Sequence, residues 1–291
     1  MITLINAPSI LGLRPSGVER LPDALRQAGL VEQLAIRHSE TVSLPTYNPH
    51  RDPATNMLNP EAIADYTVEL ANVVQKTLQS GNFPLVLGGD CSILLGNMLA
   101  LKRDGRYGLF FLDGHADFYQ PSASTTGEAA DMDLALVSGR GPDTVTNIED
   151  QKPFVRDADI IQFGQRDREL TIADGSQQIA DTAIHVFELE TIRQEGLEKS
   201  CDAALTILQR QPIEGFWIHI DADVIHDDEM PAVDYRLPDG LHFKEMAIVL
   251  KRLMATGQVV GLDLAIYNPT LDPSGAMATR LVSLLAGALH K

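Results

Sequence analysis

The sequence predicts an α/β fold, a three-layer αβα sandwich around a mostly parallel, doubly wound sheet of about eight strands. Two observations predict it. The short apolar runs are continuous rather than alternating, as strands covered on both faces are. Between them lie longer stretches with helical spacing, the strand-then-helix order that builds parallel sheets. In chain order the runs are Ile2 to Asn6, Leu34 to Arg37, Pro84 to Leu87, Gly108 to Leu112, Ile160 to Gly164, Ile184 to Phe187, Phe216 to Ile220 and Val259 to Leu264. The amphipathic stretches are Gly17 to Ala28, Pro60 to Ser80, Ser92 to Arg103, Glu198 to Arg210, Phe243 to Ala255 and Met277 to His290. Asn59-Pro60-Glu61 marks a helix start, with proline near the first turn and an acid close behind. No internal repeat, low-complexity tract or composition shift marks a linker, so residues 1–291 are expected to form a single domain. The least regular stretches, Tyr47 to Leu58, Asp113 to Ala129 and Asp227 to Leu241, are rich in Pro, Asp, Gly and Ser, and loops of that kind carry sites.

Composition narrows the function classes. A chain of 291 residues that is 44% hydrophobic buries a large core and is not disordered. With 23 Lys plus Arg against 40 Asp plus Glu, the net charge of −17 repels nucleic-acid phosphates and anionic lipid, so a small-molecule partner is favoured over either. No basic residue precedes the first apolar stretch and no 18-residue apolar run occurs. Neither a signal peptide nor a membrane span is therefore indicated, and a cytoplasmic location is expected. Two cysteines, Cys91 and Cys201, cannot make a disulfide framework, and either could serve as a thiol ligand once reduced.

In a doubly wound sheet ligands gather beyond the carboxyl ends of the strands. Four runs end in residues that bind metals: Gly88-Gly89-Asp90-Cys91-Ser92, Asp113-Gly114-His115-Ala116-Asp117, Asp221-Ala222-Asp223, and Gly261-Leu262-Asp263. A chain leaving its strand in extended form points Asp113, His115 and Asp117 to one side, and Asp221 and Asp223 repeat that spacing. Four carboxylates packed together repel one another, and divalent cations resolve the repulsion. Mixed carboxylate and imidazole donors suit Mn²⁺, Zn²⁺, Fe²⁺ or Ni²⁺ more than Ca²⁺, and four carboxylates suffice to bridge two ions. A lone Cys packs like a hydrophobe, but Cys91 directly after Gly88-Gly89-Asp90 reads as a ligand; Cys201, within a helical pattern, reads as packing. His219 reads as a hydrogen-bonded core histidine. His226 is open between a support to the site, a substrate contact and a plain loop residue.

These motifs resemble the arginase and ureohydrolase family, manganese amidinohydrolases that include agmatinase and formimidoylglutamase. The resemblance covers most of the chain. It is carried by the Gly-Gly-Asp-x-Ser, Asp-x-His-x-Asp and Asp-x-Asp strand ends in the same order, by Gly164-Gln165-Arg166-Asp167, by Met230-Pro231-Ala232-Val233 and by the Gly261-to-Pro269 tail with its Asn-Pro turn. It implies an arginase-like metallohydrolase domain with two divalent ions, Mn²⁺ first and Zn²⁺, Fe²⁺ or Ni²⁺ as alternatives. One ion would be held by Cys91, Asp113, Asp117 and Asp221, and the other by Asp113, His115, Asp221 and Asp223. A bridging hydroxide would attack an amidine-type carbon, and Asp117 would pass its proton to the leaving amine. A homo-oligomer is also implied.

The chain departs from the family at three places. Cys91 stands where most members have His, which adds a negative charge and a softer ligand; a branch that hydrolyses hydroxyarginine shares this Cys. Ile266 stands where arginases and agmatinases place the Glu that pairs with the guanidinium, so a cationic guanidine loses a charge-assisted partner. Gly127-Glu128-Ala129-Ala130-Asp131 replaces the loop of the family's histidine proton shuttle. Glu128, Asp131 or Asp133 could bind a cationic substrate group there, although an acid-rich helix N-terminus is the simpler reading. The expected function is binuclear metal-dependent hydrolysis of a C–N bond in a small linear amidine or guanidino compound, including a modified arginine. The alternative is a non-catalytic metal-binding protein of the same fold, a sensor or an assembly subunit.

Overall fold

The computed structural model describes residues 1–290. Eight strands, β1 (Ile2–Ala7), β2 (His38–Thr41), β3 (Phe83–Gly88), β4 (Gly108–Leu112), β5 (Ile160–Phe163), β6 (His185–Phe187), β7 (Phe216–Asp221) and β8 (Val259–Ala265), form one sheet. Every pairing is parallel, in the order β2-β1-β3-β8-β7-β4-β5-β6. The predicted α/β class with about eight strands therefore holds. The chain lays down β1, crosses to the edge at β2, returns to β3 and then skips two positions to start β4. β7 and β8 come last and fill the gap. The carboxyl ends of β3, β8, β7 and β4 thus lie side by side in mid-sheet, at the reversal of strand order where such sheets bind ligands.

β3, β4 and β7 are almost wholly apolar and buried, whereas β2, His-Ser-Glu-Thr, is an exposed edge. A polar, four-residue edge strand offers little for another chain to pair with. The predicted run at Leu34 to Arg37 is corrected by this arrangement. Leu34 ends the one-turn helix Leu30–Gln33, Ala35 takes a left-handed φ of 49°, and the amide of Ile36 donates to the Val31 carbonyl at 2.9 Å. That is a Schellman helix end with alanine at the position glycine usually fills. Leu34 and Ile36 are apolar because they pack beneath a helix terminus, and the strand begins at His38.

The predicted amphipathic stretches all become helices: Leu21–Gln27, Pro60–Gln79, Ile93–Lys102, Leu197–Arg210, Phe243–Ala255 and Ala276–Leu289. Pro60 stands in the first turn of its helix as expected, where its missing N–H costs nothing. Ile93–Lys102 is buried from Ile93 to Leu101, so it carries no polar stripe and lies in the interior close behind the site. No helix among the described residues is long and apolar enough to cross a membrane.

Candidate metal centre

Three strand ends, those of β3, β4 and β7, supply the donors of the centre. At the end of β3 a side chain on Gly89 would meet the Ser9 carbonyl oxygen at 1.8 Å, so only glycine lets the loop after β1 pass. Asp90 locks that crossing: its Oδ2 accepts from the Ser9 hydroxyl at 2.7 Å and its Oδ1 from the Ser92 amide at 2.9 Å. Cys91 is thereby held fully buried, and its Sγ donates to Asp221 Oδ2 at 3.0 Å.

Two identical turns aim the acids. The amide of His115 donates to Asp113 Oδ1 at 2.6 Å, and the amide of Asp223 donates to Asp221 Oδ1 at 2.7 Å. Each is an Asx turn, in which an aspartate captures the amide two residues on. The run Asp113 to Asp117 is therefore not extended as its spacing suggested. It bends at Gly114 and His115, and Asp117 adopts a left-handed φ of 43°. The bend parts the ligands into two donor groups, Cys91 with Asp117 and Asp221, and Asp113 with His115 and Asp223. In the second, His115 Nδ1 lies 2.9 Å from Asp223 Oδ2.

Burial and mutual repulsion leave these groups poorly suited to carry charge unaided. Burial, added to by the charge of Asp223, pushes Asp113 up to about 6, and burial together with neighbouring carboxylates raises Asp117 and Asp221 well above the usual carboxylate range. Burial and the Asp221 charge likewise push the Cys91 thiol up. Asp223 is the exception: burial acts to raise it, but His115, Arg166 and the Gly114 amide together outweigh burial and hold it low. Conversely, the Asp223 and Asp113 charges lift His115 well above an ordinary imidazole against the effect of burial. Asp113 Oδ2 is buried without a hydrogen-bond partner. Five acidic donors and an imidazole, with an orphaned oxygen among them, fit divalent cations of the Mn²⁺ to Zn²⁺ series.

The centre opens into a cavity of about 230 Å³, below the size of a drug-like pocket and suited to a small molecule. His115, Asp117, Asp221 and Asp223 form its floor, and Tyr119, Tyr235, Leu13, Leu170 and Ile266 contribute walls. The lining adds Glu128, Asp131, Asp167, Asp174 and Asp234, and includes no Lys or Arg. An acidic cavity of this kind concentrates cations.

Of the expected substrate contacts, Glu128 and Asp131 are at the cavity. Glu128 is already engaged, its Oε1 accepting from the Arg14 amide at 3.0 Å and its Oε2 from the Tyr235 hydroxyl at 3.0 Å. Asp131 Oδ2 accepts from the hydroxyls of Thr126 and Ser124, while its Oδ1 has no partner. Burial pushes Asp131 up to about 7, opposed by the Thr126 hydroxyl and helped by the Glu128 charge. Because the folded value lies above the unfolded value of about 4, the protonated acid stabilises the fold at low pH, and that contribution is lost as pH rises through about 7. Asp131→Asn mimics the protonated form. Its melting temperature is expected to match wild type near about pH 4, to exceed it increasingly as pH rises from about 4 to about 7, and to keep a constant lead above that; a difference that does not change between about pH 4 and about pH 7 would contradict this assignment.

His226 is not brought to the cavity. Its amide donates to the Leu241 carbonyl at 2.9 Å and its ring stacks on His242 at 4.5 Å, which draws it to the outer loop beside the helix Phe243–Ala255. Asp133 is not a wall residue either. It is fully buried near His219, which is the core histidine expected, with Nδ1 2.6 Å from Asp263 Oδ2. Asp263 itself lies inside β8, two residues before its end, and holds His219 rather than facing the cavity.

A family model described as the arginase family matches residues 1–290. The chain belongs to the arginase family. An arginase of Staphylococcus aureus is 28% identical over 98% of this chain and 95% of its own length. The structure of an arginase from Bacillus caldovelox superimposes with a TM-score of 0.88 at 24% identity, covering 100% of this chain and 98% of the other. Formimidoylglutamase from Bacillus subtilis gives 0.75 at 18% identity over 99% and 85% of the two chains; these two likenesses show a common fold.

In this arginase-family chain the supports behind the donors were the part sequence reasoning missed. Gln162 Nε2 donates to the carbonyls of Asp113 and His115, Asp167 Oδ2 accepts from the Ala116 amide, and Arg166 Nη2 donates to the Asp223 carbonyl at 2.7 Å. The only signal for Arg166 and Asp167 was the string Gly164-Gln165-Arg166-Asp167 at the end of β5, noted for its resemblance and not for its role, and Gln162 lay unmarked within the apolar run of β5.

Proposed function

We propose that this arginase-family chain is a binuclear, divalent-cation-dependent hydrolase that cleaves a carbon–nitrogen bond, other than a peptide bond, in a small linear amidine or guanidino compound. The observation that carries the reading is the two donor groups, of whose six residues His115, Asp117, Asp221 and Asp223 line one small acidic cavity. One cation would be held by Cys91, Asp117 and Asp221 and the other by Asp113, His115 and Asp223. Bound there, two such ions would offset the carboxylate charge and make water acidic enough to supply a nucleophile near neutrality. The names of the relatives, arginase and formimidoylglutamase, support a substrate with an amidine-type carbon.

The chain's own residues account for the remaining requirements. The carboxylates of the lining attract an amidinium, and the cavity volume limits its size. Asp117 would be the residue to move the proton: it lines the cavity, where its carboxylate can take a proton from attacking water. It then gives that proton to the departing nitrogen as the tetrahedral carbon collapses and the C–N bond breaks. A narrower reading is favoured by Ile266, which lines the cavity where a carboxylate would balance a full guanidinium. It gives the substrate a less basic guanidine, such as a hydroxyguanidine.

The test is a panel of guanidino, hydroxyguanidino and amidino compounds with urea and ammonia release as readout, run with Mn²⁺, Zn²⁺, Fe²⁺ and Ni²⁺ in turn. Turnover of at least one compound, with hydroxyguanidines ahead of unmodified guanidines, is the expected result. Silence across the panel with every cation would leave a metal-binding protein without hydrolase activity.

A further inference from the structure

Beneath the two donor groups lies a third, which the proposed reaction does not use. Cys91, Asp133 and His219 place one sulfur, one oxygen and one nitrogen within 4.8 Å of one another, all three residues fully buried and none lining the cavity. His219 Nε2 and Asp133 Oδ2 stand 3.9 Å apart, and neither has a hydrogen-bond partner among the described residues. Two buried, unsatisfied polar atoms facing each other require an explanation.

The surroundings of His219 supply one. Its Nδ1 lies 2.6 Å from Asp263 Oδ2, and Asp263 Oδ1 accepts from Trp217 Nε1 at 2.5 Å and from Asn97 Nδ2 at 3.0 Å. With its Nδ1 turned to this anchored carboxylate, the imidazole presents its Nε2 edge to Asp133 and Cys91. Carboxylate, histidine and metal in line is the usual way a protein fixes a metal-ligating imidazole. The ring is further held by stacking on Phe111 at 4.8 Å. A tetrahedral ion with bonds of about 2.0 to 2.3 Å sets its donors about 3.3 to 3.8 Å apart, close to the 3.9 Å seen here.

Charge points the same way. Asp113, Asp117, Asp221 and Asp223 with the Cys91 thiolate and Asp133 make six acidic groups in one dry region. Two divalent cations balance four of them, and one more cation balances the other two. Buried charge left unpaired is costly.

We infer that Cys91, Asp133 and His219 form a further divalent-cation site, separate from the pair at the cavity and joined to it through the shared thiolate. The donor set of sulfur, nitrogen and oxygen selects a borderline-soft ion of the Zn²⁺ or Co²⁺ kind over Mn²⁺. This inference shares only Cys91 with the proposed hydrolase site, so the two can fail separately.

The experiment strips the protein with chelator, reloads it with excess Co²⁺, desalts it, and reads cobalt per chain by elemental analysis beside the thiolate-to-cobalt charge-transfer band. Wild type is expected to hold one equivalent more than either His219→Asn or Asp133→Asn. The double variant Asp113→Asn/Asp223→Asn, which disables one of the cavity donor groups, is expected to keep the thiolate band, and adding His219→Asn is expected to weaken it. Equal cobalt in wild type, His219→Asn and Asp133→Asn would overturn the inference, whatever the Asp113 and Asp223 variant does. Should His219→Asn not fold, the near-isosteric Asp133→Asn decides alone, equal cobalt overturning the site and one equivalent fewer supporting it. Cobalt that is unchanged in the Asp113→Asn/Asp223→Asn protein would instead contradict the binuclear reading.

Discussion

Replacing Asp113 with alanine is expected to abolish turnover and to remove cation binding at the cavity. Asp113 has two duties that no neighbour can assume. Its Oδ1 closes the turn that presents His115, and its Oδ2 is the buried oxygen without a protein partner, free for a cation. Alanine removes both, leaving His115 unanchored and Asp223 facing fewer cations. Loss of Lewis-acid assistance removes several kcal/mol of transition-state stabilisation, so the expected fall in kcat/KM is about a thousandfold or more. Steady-state kinetics with metal analysis of the same preparation checks this, with circular dichroism to show that the fold survives. An Asp113→Ala protein that is fully active after chelation would refute the metal-dependent reading.

The second large effect is expected at Ile266. This residue leaves β8 with a left-handed φ of 69°, a conformation costly for a β-branched side chain, and its amide is tied to the Gly89 carbonyl at 2.8 Å. The chain thus holds an apolar side chain in a strained conformation at the wall of a cavity that also carries many carboxylates. Ile266→Glu is expected to raise kcat/KM for an unmodified guanidinium substrate about 10- to 100-fold relative to its hydroxyguanidine counterpart, the worth of one charge-assisted hydrogen bond. An unchanged preference ratio would mean that Ile266 does not set substrate charge.

Why these residues could be read from the chain, and others could not, follows from how each is positioned. The strands were legible because a parallel strand covered on both faces must be apolar throughout, and the donors were legible because such strands end where ligands collect. Leu34 to Arg37 misled because a one-turn helix with a Schellman end buries apolar residues over too short a span to show a helical period. His226 misled because proximity in sequence to Asp223 is not proximity in space: pairing with Leu241 and stacking on His242 turn it outward. The division of the donors into two groups depends on Asx turns and on the left-handed Asp117, neither of which residue spacing encodes. His219 alternates with Asp221, so its face was implicit in the strand, but its neighbour Asp133 arrives from the start of the distant helix Asp133–Val137 and only the folded chain brings the two together.

The most direct test of the central claim is a titration of chelator-stripped protein with Mn²⁺, following bound metal per chain and hydrolysis of the preferred amidine or guanidine substrate together. The account predicts no turnover in the stripped protein and a rise to a plateau as the cavity ions bind. Undiminished turnover without metal, or bound metal with no turnover of any compound in the panel, would contradict it.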